Sequence, residues 1–245
     1  MYKASKKLAV KLLPKKLLFR YELYFRSVLY FFYKGSDYKC NICGKNLRKF
    51  IEINTDRLCP NCGSIGRDRS LWFLLNHKYL KQDISVLDFS PSRPLQRKLN
   101  KISGINYNST DKSGNFIADF SFDITNIAVE DESFDLIICY HILEHVIDDL
   151  KAMKELSRVL KNDGYCLIQT PFKEGDIFED NSVTSKKERE KFFGQDDHVR
   201  IYSVNGLKDR LERCGFNVRV TEINKTNDAA KYGLKSPERV LVCEK

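Results

Sequence analysis

With 245 residues, 42% of them hydrophobic and 31% charged, the chain has room for one sizeable core and a small accessory module, and its composition excludes wholesale disorder. The net charge of +9 is uneven: residues 1–34 hold nine Lys or Arg against the single acid Glu22, so the rest of the chain sums to +1. A near-neutral body gives no charge-based case for a whole domain laid along nucleic acid, and any anion-seeking behaviour belongs to the N-terminus.

Just after Pro14, which suits a first helical turn, Leu17, Leu18, Tyr21, Tyr24, Phe25, Val28, Leu29 and Phe32 recur at helical spacing. They predict an amphipathic helix over 15–33 within a basic segment, 1–36. A cationic face beside an aromatic-aliphatic one suits the anionic surface of a membrane. The same stripe suits packing on the catalytic domain or on a partner subunit, and for residues 1–34 both readings stay open. Ser27–Tyr33, the longest uncharged stretch of this N-terminal segment, has seven residues, against the roughly 20 that span a bilayer. No small-residue cleavage site follows the N-terminal lysines. The expectation is a cytoplasmic protein, with peripheral contact at the inner face of the membrane left open. Lys34-Gly35-Ser36-Asp37 reads as a helix stop and linker.

Cys40, Cys43, Cys59 and Cys62 form C-x2-C-x15-C-x2-C, a zinc-ribbon spacing. Zn²⁺ prefers four thiolates in a tetrahedron, and a CxxC turn presents two sulfurs on one side of the ion. The glycine after each pair lets the backbone curl so that N–H groups point at the sulfurs. Residues 46–58 would form a hairpin that folds the second pair onto the first. Four cysteines fill the coordination shell, so the expected zinc is structural rather than catalytic. Ribbon and linking helix occupy 37–80. Of the remaining cysteines, Cys139 and Cys166 lie in apolar runs and read as core residues.

From Ile84 onward, short apolar runs alternate with helical patterns, predicting a doubly wound, seven-stranded, mostly parallel α/β sheet over 81–245. The strands fall at 84–90, 105–111, 121–125, 134–141, 165–171, 217–223 and 239–244, with helices at 94–101, 148–160 and 203–214. Too few residues separate Asp111 from Asp119 for a full crossover helix, so a helix there must be vestigial. Acids close successive strands: Asp88 in Val86-Leu87-Asp88-Phe89-Ser90-Pro91-Ser92, Asp111 in Asn108-Ser109-Thr110-Asp111, and Asp123 in Asp123-Ile124-Thr125. Ligands of such folds bind at these strand ends, where one carboxylate can accept from both hydroxyls of a ribose.

The stretch DESFDLIICYHILEHV, followed by ELSRVLKNDGYCLIQTP, resembles the fourth strand, helix and fifth strand of class I SAM-dependent methyltransferases of the type 11-like branch. The resemblance covers about 84–244 and implies a Rossmann-like methyltransferase fold with S-adenosyl-L-methionine (SAM) as cofactor. It implies Asp111 for the ribose hydroxyls, Asp123 and Ile124 for the adenine, and Tyr140 and His141 near the methionine moiety. Asp88, Ser90 and Ser92 match the loop that cradles the amino-acid end. Where that family carries a glycine-rich D-x-G-x-G turn, residues 88–94 contain no glycine.

Methyl transfer requires the acceptor to be aligned and water excluded, and a hydroxyl acceptor also requires a base. His141, His145 and His198 are the candidates for that role, with Glu144 and Asp197 as orienting carboxylates and Arg200 beside the acceptor. The connection 172–202 is far longer than usual and reads as a substrate lid. Three functions remain open: methyl transfer to an O or N atom of a small-molecule or saccharide acceptor, methyl transfer to an RNA base held by the zinc ribbon, and a non-catalytic SAM-fold scaffold.

Overall fold

The structure is a computed structural model that describes residues 15–54 and 56–245, so the first fourteen residues of the basic segment lie outside it. In chain order its elements are α1 (Lys15–Phe31), β1 (Lys34–Lys39), β2 (Asn46–Leu47), β3 (Ile51–Ile53), β4 (Asp56–Leu58), α2 (Gly66–Leu74), β5 (Ile84–Phe89) and α3 (Arg93–Leu99). There follow β6 (Ile105–Thr110), β7 (Phe134–Tyr140), α4 (Asp149–Val159), β8 (Leu160–Gln169), β9 (Phe178–Glu179), α5 (Lys186–Phe193), β10 (Arg200–Ile201), α6 (Val204–Arg213), β11 (Asn217–Ile223), α7 (Asn227–Tyr232) and β12 (Glu238–Glu244). A π-helical turn, Leu75–Tyr79, follows α2, and a 3₁₀ turn, Leu143–His145, follows β7. The chain divides into two compact units, one running to Phe73 and including Lys225–Ser236, the other holding Leu74–Asn224 and Pro237–Lys245.

In the first unit, α1 forms as the apolar spacing requires, and Tyr24, Phe25, Val28, Phe31 and Phe32 on it or just beyond it are exposed. The expected linker is instead a strand: β1 pairs antiparallel with β2 through Tyr38–Leu47 and Lys39–Asn46. Gly35 permits this, because a Cβ there would lie 2.7 Å from the Arg48 backbone. The hairpin expected over 46–58 is confined to β3 and β4, running from Ile51–Leu58 to Ile53–Asp56.

In the second unit, six strands form one sheet in the order β11-β12-β8-β7-β5-β6, with β12 antiparallel to both neighbours and the remaining pairs parallel. The architecture is the doubly wound one expected, with six strands where the sequence predicts seven. Residues 121–125 do not form the further strand, and beside β6 there is a single Thr110–Phe120 bridge. The physical reason is local: Asp123 accepts from the Thr125 N–H and hydroxyl, both at 2.9 Å. Such an Asx turn competes with extended pairing. No helix forms between Asp111 and Asp119, as the short connection requires.

The core lies where β5, β7 and β8 meet helices α4 and α6. Leu87, Ile137, Cys139, Cys166 and Ile168 are fully buried on the sheet. Ala152, Met153, Leu156 and Val159 on α4 recur at helical spacing and are buried against it, with Leu207 and Leu211 from α6. Asp148 caps α4 by accepting from the Lys151 N–H. This core fixes the C-terminal edge of β5, β6 and β7, from which the candidate site projects.

Candidate functional site

The four ribbon cysteines converge. Sγ of Cys40 and Cys62 are 3.7 Å apart, those of Cys43 and Cys59 are 3.8 Å apart, and all four sulfurs lie within 4.8 Å of one another. Sulfurs bound about 2.3 Å from one tetrahedral Zn²⁺ sit roughly 3.8 Å apart, so the donor set fits that ion. Hydrogen bonds from Cys43, Cys59 and Cys62 hold the Cys40 thiol well below its usual range, while Cys40 first and its neighbours push Cys62 up. The N–H groups of Gly44 and Gly63 donate back to the carbonyls of Cys40 and Cys59, at 2.8 and 3.0 Å, closing the turns rather than pointing at sulfur.

Behind the centre stands Arg69, fully buried. Its guanidinium donates to the carbonyls of Ser64, Arg57, Tyr232 and Gly233 at 2.7, 2.7, 2.8 and 2.6 Å and lies 4.1 Å over the Phe50 ring. Burial draws its pKa down, and the Cys40 and Cys59 charges oppose that.

On the cofactor side, β5 and β6 end in register, Phe89 beside Thr110. Ser90 then takes φ +49°, the left-handed region a glycine would occupy in the related loop, and its N–H donates to the Thr110 carbonyl at 2.8 Å. Its hydroxyl donates to Asp111 at 2.7 Å. Asp111 also accepts from the Ser113 hydroxyl at 3.0 Å and the Phe116 N–H at 3.2 Å. Burial works against its charge, but these bonds outweigh burial and hold its pKa below the ordinary value.

The other cofactor candidates divide. Ser92 opens α3 with its hydroxyl buried and without a protein partner among the described residues. Asp123 pairs with Lys112, whose hydrogen bond, with those from Thr125, holds the acid at about 2. Asp88 is turned into the sheet and accepts from the Tyr107 hydroxyl at 2.9 Å. The Ile124 side chain packs in the core. The Tyr140 phenol is buried, and burial first, then Glu238, raises its pKa. His141 has φ +57°, with its N–H on the Gln169 carbonyl at 2.8 Å and Nδ1 at 3.2 Å from Glu144. The unpartnered Ser92 hydroxyl, at the turn where the amino-acid end of SAM would lie, fits that cofactor.

On the acceptor side, the 3₁₀ turn brings Glu144 and His145 against His198. The two imidazole rings are 4.7 Å apart at 81°, and His145 Nδ1 is 3.3 Å from Asp197. Glu144 and His198 are 1% and 4% exposed, yet Glu144 Oε2 and His198 Nε2 have no hydrogen-bond partner among the described residues. Arg200 does not join them. Its guanidinium donates to the carbonyls of Leu143, Val146 and Ile147 and to Glu179, with Asp149 close by. Tyr202 donates to Asp149 at 2.6 Å, and the Val199 N–H donates to the Glu144 carbonyl at 2.9 Å. The end of the long connection is thereby fastened to the turn that carries Glu144 and His145. Asp149, Glu179 and Arg210 in this network were not legible in the sequence as site residues.

A family model described as a methyltransferase domain matches residues 67–220. The chain belongs to that methyltransferase-domain family. An uncharacterized protein of Methanocaldococcus jannaschii is 34% identical over 84 residues, a match covering 33% of this chain and 37% of that protein's length. Phosphoethanolamine N-methyltransferase 2 of Haemonchus contortus, solved with SAM, superposes with a TM-score of 0.53 at 16% identity over 73% of this chain and 52% of its own. A complex of the Haloferax volcanii Trm112 methyltransferase activator with a methyltransferase gives 0.50 at 15% identity, over 71% of this chain and 87% of the matched one. The [4+2]-cyclase SpnF gives 0.50 at 15%, over 73% and 81%. At these identities the likeness is one of fold, and the cyclase shows that the fold alone does not dictate the reaction. No helix among the described residues is long and apolar enough to cross a membrane.

Proposed function

We propose that this chain transfers the methyl group of SAM to an O or N atom of a small-molecule or saccharide acceptor, with a structural Zn²⁺ in the four-cysteine ribbon. The carrying observation is the pair of buried polar atoms without partners among the described residues, Glu144 Oε2 just beyond β7 and His198 Nε2 on the long connection, whose side chains converge with His145. Bound SAM supplies a methyl group on an electron-poor sulfonium. Asp111, aimed by Ser90, takes the ribose hydroxyls, Asp123 and the Ile124 backbone meet the adenine, and Ser92 takes the amino-acid end. Tyr140 and His141 border the methionine moiety. Glu144, His145 and His198 hold the acceptor's attacking atom, Arg200 positions the turn that carries two of them, and residues 172–202 exclude water.

Calorimetry with SAM, followed by labelled SAM and fractionated lysate, tests this reading. Saturable SAM binding and a labelled small molecule are expected, and His198→Ala should slow turnover while leaving SAM affinity intact. A protein that ignores SAM is a scaffold, and label that RNase releases belongs to RNA. For residues 1–34, the exposed Tyr24, Phe25, Val28, Phe31 and Phe32 beside the cationic surplus support peripheral association with an anionic membrane. Salt-dependent sedimentation with anionic liposomes, lost on starting the chain at Gly35, is the expected result. A truncated chain that aggregates while full-length protein ignores liposomes assigns the helix to the core or to a partner subunit.

A further inference from the structure

The histidines on the acceptor side are fixed in a way that also suits the binding of a metal ion. His198 Nδ1 lies 3.2 Å from the Phe193 carbonyl. A carbonyl can only accept, so Nδ1 carries the hydrogen and the buried Nε2 is left with its lone pair. His145 repeats the pattern, with Nδ1 directed to the Asp197 carboxylate at 3.3 Å. Glu144 completes it: Oε1 faces His141 Nδ1 at 3.2 Å, and Oε2 is buried without a partner among the described residues. Each of the three side chains is thus fixed by an outer hydrogen bond on one atom and keeps a second atom for a ligand, as metal-binding histidines and carboxylates are fixed in metalloproteins. One donor atom from each of Glu144, His145 and His198 lies within 4.8 Å of the others. Three ligands about 2.1 Å from one tetrahedral ion sit roughly 3.4 Å apart, so closing on an ion from within 4.8 Å requires each donor atom to move by about 0.8 Å at most.

We propose that Glu144, His145 and His198 bind one divalent first-row transition-metal ion, separate from the zinc of the ribbon. Two imidazoles and one carboxylate suit Mn²⁺, Fe²⁺, Co²⁺ or Zn²⁺ better than Ca²⁺ or Mg²⁺, which take mainly oxygen. Three protein ligands leave coordination positions open. Resting on the methyl-transfer reading, this names the acceptor atom as a hydroxyl oxygen. Bound there, the ion would lower the pKa of an acceptor hydroxyl so that its proton passes to solvent, and the oxygen would attack the methyl carbon of SAM. The carbon–sulfur bond breaks with its electron pair staying on sulfur, giving a methyl ether, S-adenosylhomocysteine and one released proton.

The test is a Mn²⁺ titration of full-length protein loaded with one Zn²⁺ per chain, enough for the ribbon alone, without SAM or acceptor, followed by the loss of the free-ion signal in electron paramagnetic resonance. Mn²⁺ is chosen because a four-thiolate site holds it poorly. One bound Mn²⁺ per chain is expected, with affinity at least tenfold weaker in Glu144→Gln and in His198→Gln. His145→Gln, at a partly exposed position, serves if the buried changes prevent folding. Folded wild-type protein that binds no Mn²⁺, or folded variants that bind it as wild type does, overturns the proposal. Because neither SAM nor acceptor is present, that failure leaves the methyl-transfer reading standing, and a failure to bind SAM leaves the metal site standing.

Discussion

Arg200 donates through Nη2 to the carbonyl of Ile147 at 2.8 Å, joining the end of the long connection to the chain just beyond the Glu144–His145 turn. The same side chain, 7% exposed, meets Glu179 and Asp149, so its removal takes one donor from that network and the guanidinium donor from the carbonyls of Leu143, Val146 and Ile147. Arg200→Ala is expected to lower stability by about 3 kcal/mol or more. Arg200→Lys should recover part of that, because an ammonium cannot reproduce the planar fork. Chemical denaturation checks both, and an Arg200→Ala variant within about 0.5 kcal/mol of wild type would show that the network contributes nothing.

At Ser90 two effects oppose each other. Positive φ is strained for any residue with a Cβ, by about 1 kcal/mol, and the hydroxyl bond to the Asp111 carboxylate is worth about 1.5–3 kcal/mol. Ser90→Ala keeps the strain and loses the bond, whereas Ser90→Gly loses both. The glycine variant should therefore be the more stable of the two by about 1 kcal/mol, with both below wild type, as urea unfolding would show. Asp111→Ala should weaken SAM binding by at least about 1 kcal/mol in calorimetry.

Much of this was legible because the relevant signals are local. Strands β5, β7 and β8 are apolar runs of the right length, and the paired cysteines carry their own spacing. What escaped depends on partners distant in sequence. Lys34-Gly35-Ser36-Asp37 looks like a linker because Gly35 and Ser36 are turn formers, yet Gly35 is what admits the backbone of Arg48. Residues 121–125 look like a strand until Asp123 turns back on Thr125. Arg200, next to a histidine in a long connection, reads as acceptor-facing whether its guanidinium ends on substrate or on three carbonyls. Arg69 reads as a polar residue of a helix start, and nothing near it announces Tyr232 and Gly233 as its acceptors.

Lys112 sets the acidity of Asp123. Its hydrogen bond, before those from Thr125, places that carboxyl at about 2, below the ordinary value near 3.9. A depressed folded-state pKa gives stabilisation that is present above about pH 4 and is lost as pH falls toward 2. Lys112→Ala should raise the Asp123 midpoint toward the ordinary value and narrow that window. Carboxyl-carbon NMR titration reads this directly, and an unmoved midpoint would assign the depression to Thr125.

Zinc removal should disturb a segment far from the cysteines in sequence. Arg69 holds the carbonyls of Ser64 and Arg57 on the ribbon side and those of Tyr232 and Gly233 on the other. Ser70 adds reciprocal bonds with Lys235 at 3.0 and 2.9 Å. All of these residues belong to the first compact unit, whereas Asn224 and Pro237 on either side of its late segment belong to the second. A four-thiolate zinc supplies much of the folding free energy of a module this small. Chelation should therefore loosen 40–64 and 225–236 together, while β5, β7 and β8 keep their protection. Hydrogen exchange of the metal-free protein is the measurement, and about one Zn²⁺ per chain should be found before chelation. Arg69→Met should reproduce the loss of protection at 225–236 with zinc still bound, because it removes the donors and leaves the cysteines in place. Protection that disappears over 40–64 but persists at 225–236 would show that the late segment is held independently of the metal.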